Sequence, residues 1–452
     1  MSARIHTRPE VRPPRAWTFP VPEEHDLPNG LRLLVVDLPG QHVLSLRVLL
    51  RLPVSTEPRG QEGVTLLMAR CLDEGTEEHD SEELATILER HGIAWGAGAG
   101  ERGVHLGAEV TSRDLELTLR LTAEMLSRPT FPEVEVTRLR RHRLTDIAHE
   151  DANPGARAAK EFVRTYYLPE DRASRPLGGL PDSVNGLSAE MVRARHAQLR
   201  AEGGVVVLTG DLGASDGVVQ LVADTLGRWQ PASGSGVPAE PGPARRAPDA
   251  DRTVIVSRPG LAQTDLHLGR PGPDRRTPHG WGTYQALGML LGGAPHSRID
   301  RVLREERGYT YGLRLGFRPR SRGGTTVVGG AVRADASVPA LEELLAILDT
   351  PGREFDEREV RAAADYVART APGRYATADV VADEILSMVS DGLAADTVTA
   401  TLAELRAVGP DQVAAAWDEV RRGPGWTICL VGDPHQLAGL SQHVVGEPTI
   451  ID

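Results

Sequence analysis

The chain has 452 residues, 40% of them apolar and 25% charged, with a formal net charge of −12 and a pI near 5.7. That length exceeds one ordinary core and suits two domains of roughly 200 residues each. The acidic balance argues against a general nucleic-acid or anionic-membrane binder. Two cysteines, Cys71 and Cys429, stand far apart in apolar runs, so no disulfide framework is expected and a reducing compartment is the default. Residues 1–22 are rich in Arg and Pro without an apolar stretch of signal-peptide length, and no later run approaches the ~20 apolar residues of a membrane span. A soluble, cytoplasmic protein is expected.

In chain order, residues 1–24 read as an N-terminal extension and residues 25–229 as a first domain. An alternating strand (Leu44, Leu46, Val48, Leu50) is followed by a Gly/Pro/Arg turn and a helix from Gly63 to Leu72. A second alternating strand carries Val104, Leu106, Ala108 and Val110. An amphipathic helix then places Leu115, Leu119, Thr122 and Leu126 on one face, and Pro129 and Pro132 stop it. The half closes with a strand ending in Gly210-Asp211. Residues 230–250, rich in Pro, Gly, Ser and Ala, read as a linker to a second domain at 251–452.

That second domain repeats the first. Val205 to Asp211 recurs as Thr427 to Asp433, an offset of 433 − 211 = 222. Near that offset, the segment around Leu46 finds the one around Leu268. Phe131-Pro132-Glu133 finds Phe355-Asp356-Glu357. A helix over Gly282 to Leu291 and a strand over Thr325 to Val332 complete the parallel. Strands and helices mix without strict βαβ alternation. The expected class is α+β, with two homologous domains, each a largely antiparallel sheet packed with helices.

With these strings in hand, the chain from about Leu27 to Asp433 resembles the pitrilysin/insulinase-like zinc metallopeptidases of the processing-peptidase type. The resemblance rests on Leu27-Pro28-Asn29-Gly30-Leu31-Arg32, Gly75-Thr76 and Asn153-Pro154. It rests most of all on Leu291-Gly292-Gly293, Ser297-Arg298 and the run Leu303 to Tyr311. It implies two clamshell-like halves and, in active members, an H-x-x-E-H motif on the first-half helix. There two His hold zinc, the Glu activates water and a distal Glu is the third ligand.

Counting back from Gly75-Thr76, the motif falls on Leu66 to Arg70. Leu66 and Arg70 stand in for the two His, Ala69 for the base, and Asp146 for the distal Glu. Leu offers no donor atom, Arg carries a fixed positive charge and Ala cannot take a proton. No metal in this chain and no autonomous hydrolysis are expected, with zinc in a partner. Asp146 is expected to pair with Arg70.

The second half keeps Arg304 and Tyr311, seven positions apart. The resemblance implies that such a pair holds substrate near the zinc of the opposite half. Guanidinium donors grip peptide carbonyls and a phenol donates to the oxyanion. The leading expectation is therefore a non-catalytic, peptide-binding subunit that completes the site of a zinc-motif-bearing homologous partner. Alternatives are a metal-free scaffold of the same fold, or a leader-peptide-processing partner in peptide natural-product maturation.

Blander readings suit the other candidates. His142 and His149, two turns apart, read as solvated helix residues. The run Arg138 to Arg143 reads as a solvated or ion-paired face. Cys71 reads as a buried apolar residue. The glycines at 96, 98, 100 and 103 suggest tight edge-strand geometry.

Overall fold

The computed structural model describes residues 17–213, 215–230, 244–320 and 323–452. The Arg-rich segment before Trp17 and most of the linker (231–243) lie outside the described residues. Two six-stranded sheets organise the chain. The first runs in the order β1 (Glu23–Asp26), β2 (Arg32–Asp37), β6 (Val205–Gly210), β3 (Val43–Arg51), β5 (Gly103–Thr111) and β4 (Ala94–Gly100). The second is β12 (Thr449–Ile451), β7 (Thr253–Ser257), β11 (Thr427–Gly432), β8 (Gln263–Gly272), β10 (Gly324–Arg333) and β9 (Thr310–Pro319). Pairing is mostly antiparallel, but β2–β6, β7–β11 and β7–β12 are parallel, so both sheets are mixed. The α+β class with two alike halves holds. Among the described residues no helix is long and apolar enough to cross a membrane.

Register sharpens the repeat. Leu46 lies opposite Leu208, and Leu266, not Leu268, lies opposite Leu430. The counterpart of Leu46 is thus Leu266, an offset of 266 − 46 = 220 rather than 222. A slip of two preserves which face each side chain occupies, so alternation in the sequence cannot detect it. The Gly-Asp that ends each repeat has a structural job. Asp211 Oδ2 accepts from the Gly40 N–H and Asp433 Oδ2 from the Gly260 N–H, both at 2.9 Å, fastening the strand end to the neighbouring turn.

The central strands β6 and β11 are buried at every residue, which requires cover on both sheet faces. One face packs on helices of its own half, as Val206 and Leu208 do. The other face is covered by the opposite half. The helix Ala378–Ser390 lies across β3 and β6, and its Val381, Ala382, Ile385 and Leu386 join Leu34, Val36, Leu49, Val205 and Val207 in one apolar cluster. Reciprocally, the helix Pro154–Tyr166 lies on β8 and β11. Its Phe162 and Tyr166 meet Val254 and Cys429, and its Ala158 meets Val256 and Val431. Asn153 caps this helix by accepting from the Ala156 N–H, with Pro154 in its first turn, which accounts for the Asn-Pro dipeptide.

Polar contacts register the exchange. Thr209 Oγ1 donates to the Ala378 carbonyl at 2.8 Å, and Arg47 Nε to Asp383 at 2.6 Å. Arg320, just past β9, reaches Glu101 in the β4–β5 turn and the Tyr167 hydroxyl, each at 2.8 Å. Facing Phe162, burial pushes the His267 imidazole down to about 4, with Arg318 adding to the effect, so this interface holds it neutral.

Gly269 of β8 leaves the space that Phe162 fills: a Cβ there would lie 2.2 Å from the Phe162 ring. Gly269→Val should therefore destabilise the whole chain by about 1–3 kcal/mol in denaturant unfolding. Adding Phe162→Leu should restore part of that loss. An unchanged unfolding midpoint in Gly269→Val would contradict the packing described.

Candidate functional site

The first-half motif positions lie on the helix Val64–Arg70. A buried carboxylate fixes its start: Glu57 accepts from the Gly63 and Thr65 N–H groups at 3.3 and 3.0 Å and pairs with Arg172 at 2.9 Å. A negative charge at a helix N-terminus is electrostatically favourable, and the guanidinium offsets its burial. Protein groups alone thus fix the start of this helix.

Ala69 is fully buried, Leu66 is half-buried, and Arg70 points to solvent. Arg70 Nη1 donates to Asp146 Oδ2 at 3.2 Å, the expected pairing. Asp146 sits on the long helix Glu133–Ala152, and Arg143 Nη1 approaches the same oxygen at 3.9 Å. The structure brings Arg70 to Asp146, with Leu66 and Ala69 on the same helix as Arg70, and the chemistry of these four side chains does not fit zinc. One carboxylate already faces two guanidinium groups, and neither Leu nor Ala supplies a donor atom.

The bland readings of nearby residues fare well, with one correction. His142 and His149 are exposed. Burial pushes the Cys71 thiol up to about 12, with Glu74 and Asp73 adding to it, the reverse of what a nucleophile needs. Arg143 is buried, which corrects the solvated reading of that run and leaves the ion-paired one. It donates to the Gly178 carbonyl at 2.9 Å and forms a two-point pair with Glu150 at 2.6 and 3.1 Å.

Among the described residues one set of potential metal ligands converges, Glu78, His79 and Glu124, and sequence reading missed it. Its members are already engaged, His79 and Thr76 on Glu124, and Arg128 on Glu78.

The second-half pair sits where a helix hands over to an edge strand. Arg304 is on the last turn of a π-helical segment, Asp300–Glu306. Gly308, at φ 64°, ends that turn: its N–H bonds to the Arg304 carbonyl and the Tyr309 N–H to the Leu303 carbonyl. This left-handed stop closes a helix by satisfying its last carbonyls. Strand β9 then begins, and its register with β10 shifts so that Thr310 and Gly312 have partners while Tyr311 has none. Tyr311 is thus the extra residue of a β-bulge, a device that re-aims a side chain, and it is 91% exposed. The spacing of seven follows from one helical turn, a glycine stop and the first bulge of the strand.

Asp300 sets the arginine. Its side chain is 1% exposed and divides its oxygens, Oδ2 to Arg304 Nη1 at 3.3 Å and Oδ1 to Arg314 Nη1 at 3.4 Å. Both guanidinium groups remain about half exposed, with donors left over for a ligand. Sequence reading missed Asp300 and Arg314, although Asp300 stands four residues before Arg304, the spacing of a helical ion pair. The assembled group can bind and polarise a carbonyl, but it contains no nucleophile, base or metal ligand set.

The Arg70–Asp146 pair is 42% and 45% exposed, so Asp146→Asn should change unfolding free energy by no more than about 1 kcal/mol. Zinc should not raise the melting temperature through this carboxylate. A zinc-dependent rise abolished by Asp146→Asn would show instead that Asp146 holds a metal.

Comparison with known proteins places the chain in a family and a fold. Residues 34–179 match the family described as Insulinase (Peptidase family M16), and residues 186–366 match Peptidase M16 inactive domain. An uncharacterized zinc protease of Streptomyces coelicolor is 25% identical over 297 residues, 64% of this chain and 62% of that protein. The chain thus spans about three-fifths of that relative's length. An uncharacterized zinc protease of Rickettsia bellii is 20% identical over 64% of this chain and 68% of its own. In fold, the chain is similar to a peptidase M16 inactive domain from Pseudomonas fluorescens, with TM-score 0.78, 23% identity, and 91% and 98% of the two chains covered. It is also similar to a protease from Helicobacter pylori, with TM-score 0.82, 17% identity, and 92% and 100% covered. With both halves matched in order and the same two-sheet architecture, this chain belongs to the insulinase-type M16 peptidase family.

Proposed function

We propose that this chain is the non-catalytic, substrate-binding subunit of a two-chain zinc peptidase acting on unfolded peptides. The partner would be a homologous chain that carries an intact H-x-x-E-H motif and its zinc. The observation that carries the reading is the contrast between the two halves. The motif helix is kept in place by Glu57 and Arg172 yet offers no ligand or base, while Arg304 and Tyr311 are built to face outward.

The edge strands support a peptide as substrate. Among the described residues β4 and β9 end their sheets with one side unpaired, and an extended peptide can add to such an edge through backbone hydrogen bonds. A Cβ at Gly96 or Gly98 of β4 would meet nothing within 4 Å, so packing within the chain does not require glycine there. Bare backbone on an edge strand suits the close approach of another chain. In the proposed complex, Arg304 would hold a peptide carbonyl and the Tyr311 hydroxyl would donate to the oxyanion formed at the partner's zinc.

The test is peptidase activity on a fluorogenic peptide library, with the chain alone and mixed with an H-x-x-E-H-bearing relative from the same source. No cleavage is expected alone, and cleavage is expected in the mixture. Tyr311→Phe should lower kcat roughly 100-fold, the scale of losing one oxyanion donor. Arg304→Ala should lower kcat/KM, with a loss of stability limited by Arg314, which still pairs with the buried Asp300. Cleavage by this chain alone would overturn the reading, and silence in both would favour a metal-free scaffold.

A further inference from the structure

The second half contains a cavity of about 520 Å³ where no ligand role has been assigned, within the size range of small-molecule sites. It lies beneath the helix Trp281–Gly288 and its π-helical continuation Met289–Gly293, with β9 along one side. In the repeat these elements correspond to the motif helix and β4 of the first half. Segments of π-helix inside helices are frequent at functional sites.

The walls are apolar and partly aromatic. Tyr284 and Phe317 meet edge to face with centroids 5.1 Å apart, and Met289, Leu315, Val367 and Leu402 complete them. The charged lining has the opposite bias to the protein as a whole. Two guanidinium groups, Arg275 and Arg374, face one carboxylate, Glu384, in a chain of net charge −12.

That carboxylate is fully engaged. Glu384 Oε1 takes Arg275 Nη1 at 3.3 Å, while Oε2 accepts from the Tyr375 hydroxyl at 3.3 Å and lies 3.9 Å from Arg374 Nη2. Arg275 Nε is buried without a hydrogen-bond partner. The acid oxygen recorded near it, Asp391 Oδ2, is 3.8 Å away, and Asp391 is itself bound by Arg102 at 2.6 Å. The Arg275 charge is thus ion-paired, but its buried Nε–H makes no hydrogen bond and can take an acceptor from a ligand.

We propose that this cavity binds a small carboxylate with an aromatic or bulky apolar body. The body would occupy the Tyr284–Phe317 side and the carboxylate would meet the arginines at the Glu384 end. Charge-assisted contacts to guanidinium make the carboxylate, rather than the apolar body alone, the discriminating feature. The inference does not depend on the peptidase reading, because its test measures binding to the isolated full chain.

The probes are 3-phenylpropionate and its uncharged analogue 3-phenylpropanamide, titrated calorimetrically into the full chain. The acid should bind saturably at one site, and the amide at least about tenfold more weakly, the scale of one charge-assisted hydrogen bond. Arg374→Glu, at an exposed position, should weaken the acid about tenfold or more while leaving the amide unchanged. Val367→Trp should fill the cavity and abolish both, and Arg374→Glu keeps the test decisive should Val367→Trp unfold the chain. The tripeptide Ala-Ala-Phe separates two sources of the same chemistry: tighter binding than 3-phenylpropionate assigns the carboxylate to a peptide terminus, weaker binding to a free acid. No binding of the acid at millimolar concentration, equal binding of acid and amide, or binding that survives Arg374→Glu unchanged would overturn the proposal.

Discussion

Neither half of this chain can cover its own sheet. β6 and β11 are apolar and buried on both faces, and in each case one face is closed by a helix from the opposite half. Each strand is therefore a continuous apolar run that would face water if its half stood alone, at roughly 25 cal/mol per Å² of exposed apolar surface. The reciprocal loan of the helices Pro154–Tyr166 and Ala378–Ser390 makes the two halves one folding unit. The rest of the geometry inherits its precision from that exchange, including the contact of Arg320 with Glu101 that ties the end of β9 to the β4–β5 turn.

The helix that carries Leu66, Ala69 and Arg70 is held by other residues. The motif helix is positioned by Glu57, Arg172 and Arg195, none of which is a ligand position. Ala69 belongs to the apolar core, Leu66 is half-buried, and Arg70 finds Asp146. In the second half, the buried carboxylate of Asp300 spends its own charge on orienting Arg304 and Arg314 outward, an arrangement with no packing benefit of its own.

Much of this was legible in the sequence because it is local or repeated. The Gly-Asp strand ends recur as a repeated string, and the seven-residue spacing of Arg304 and Tyr311 follows from neighbouring residues. What was not legible is long-range. Alternation has a period of two, so it could not distinguish Leu266 from Leu268 as the counterpart of Leu46. Amphipathic helices announce that they have an apolar face but not whose sheet it covers, so the exchange between halves was invisible. Arg143 looked like part of a solvated run because its burial depends on the Gly178 carbonyl, 35 residues away. The bulge at Tyr311 and the shared use of Asp300 likewise depend on partners in β10 and β9 that no local pattern specifies.

The interlocking of the halves is tested most directly by separating them. Residues 1–230 and 244–452, expressed as individual chains, should each lack a cooperative unfolding transition, and mixing them should restore one near that of the intact protein. Cooperative unfolding by either piece alone, with the same denaturant slope per residue as the whole, would contradict the account, because it would mean that a sheet can be closed without the helix from the other half.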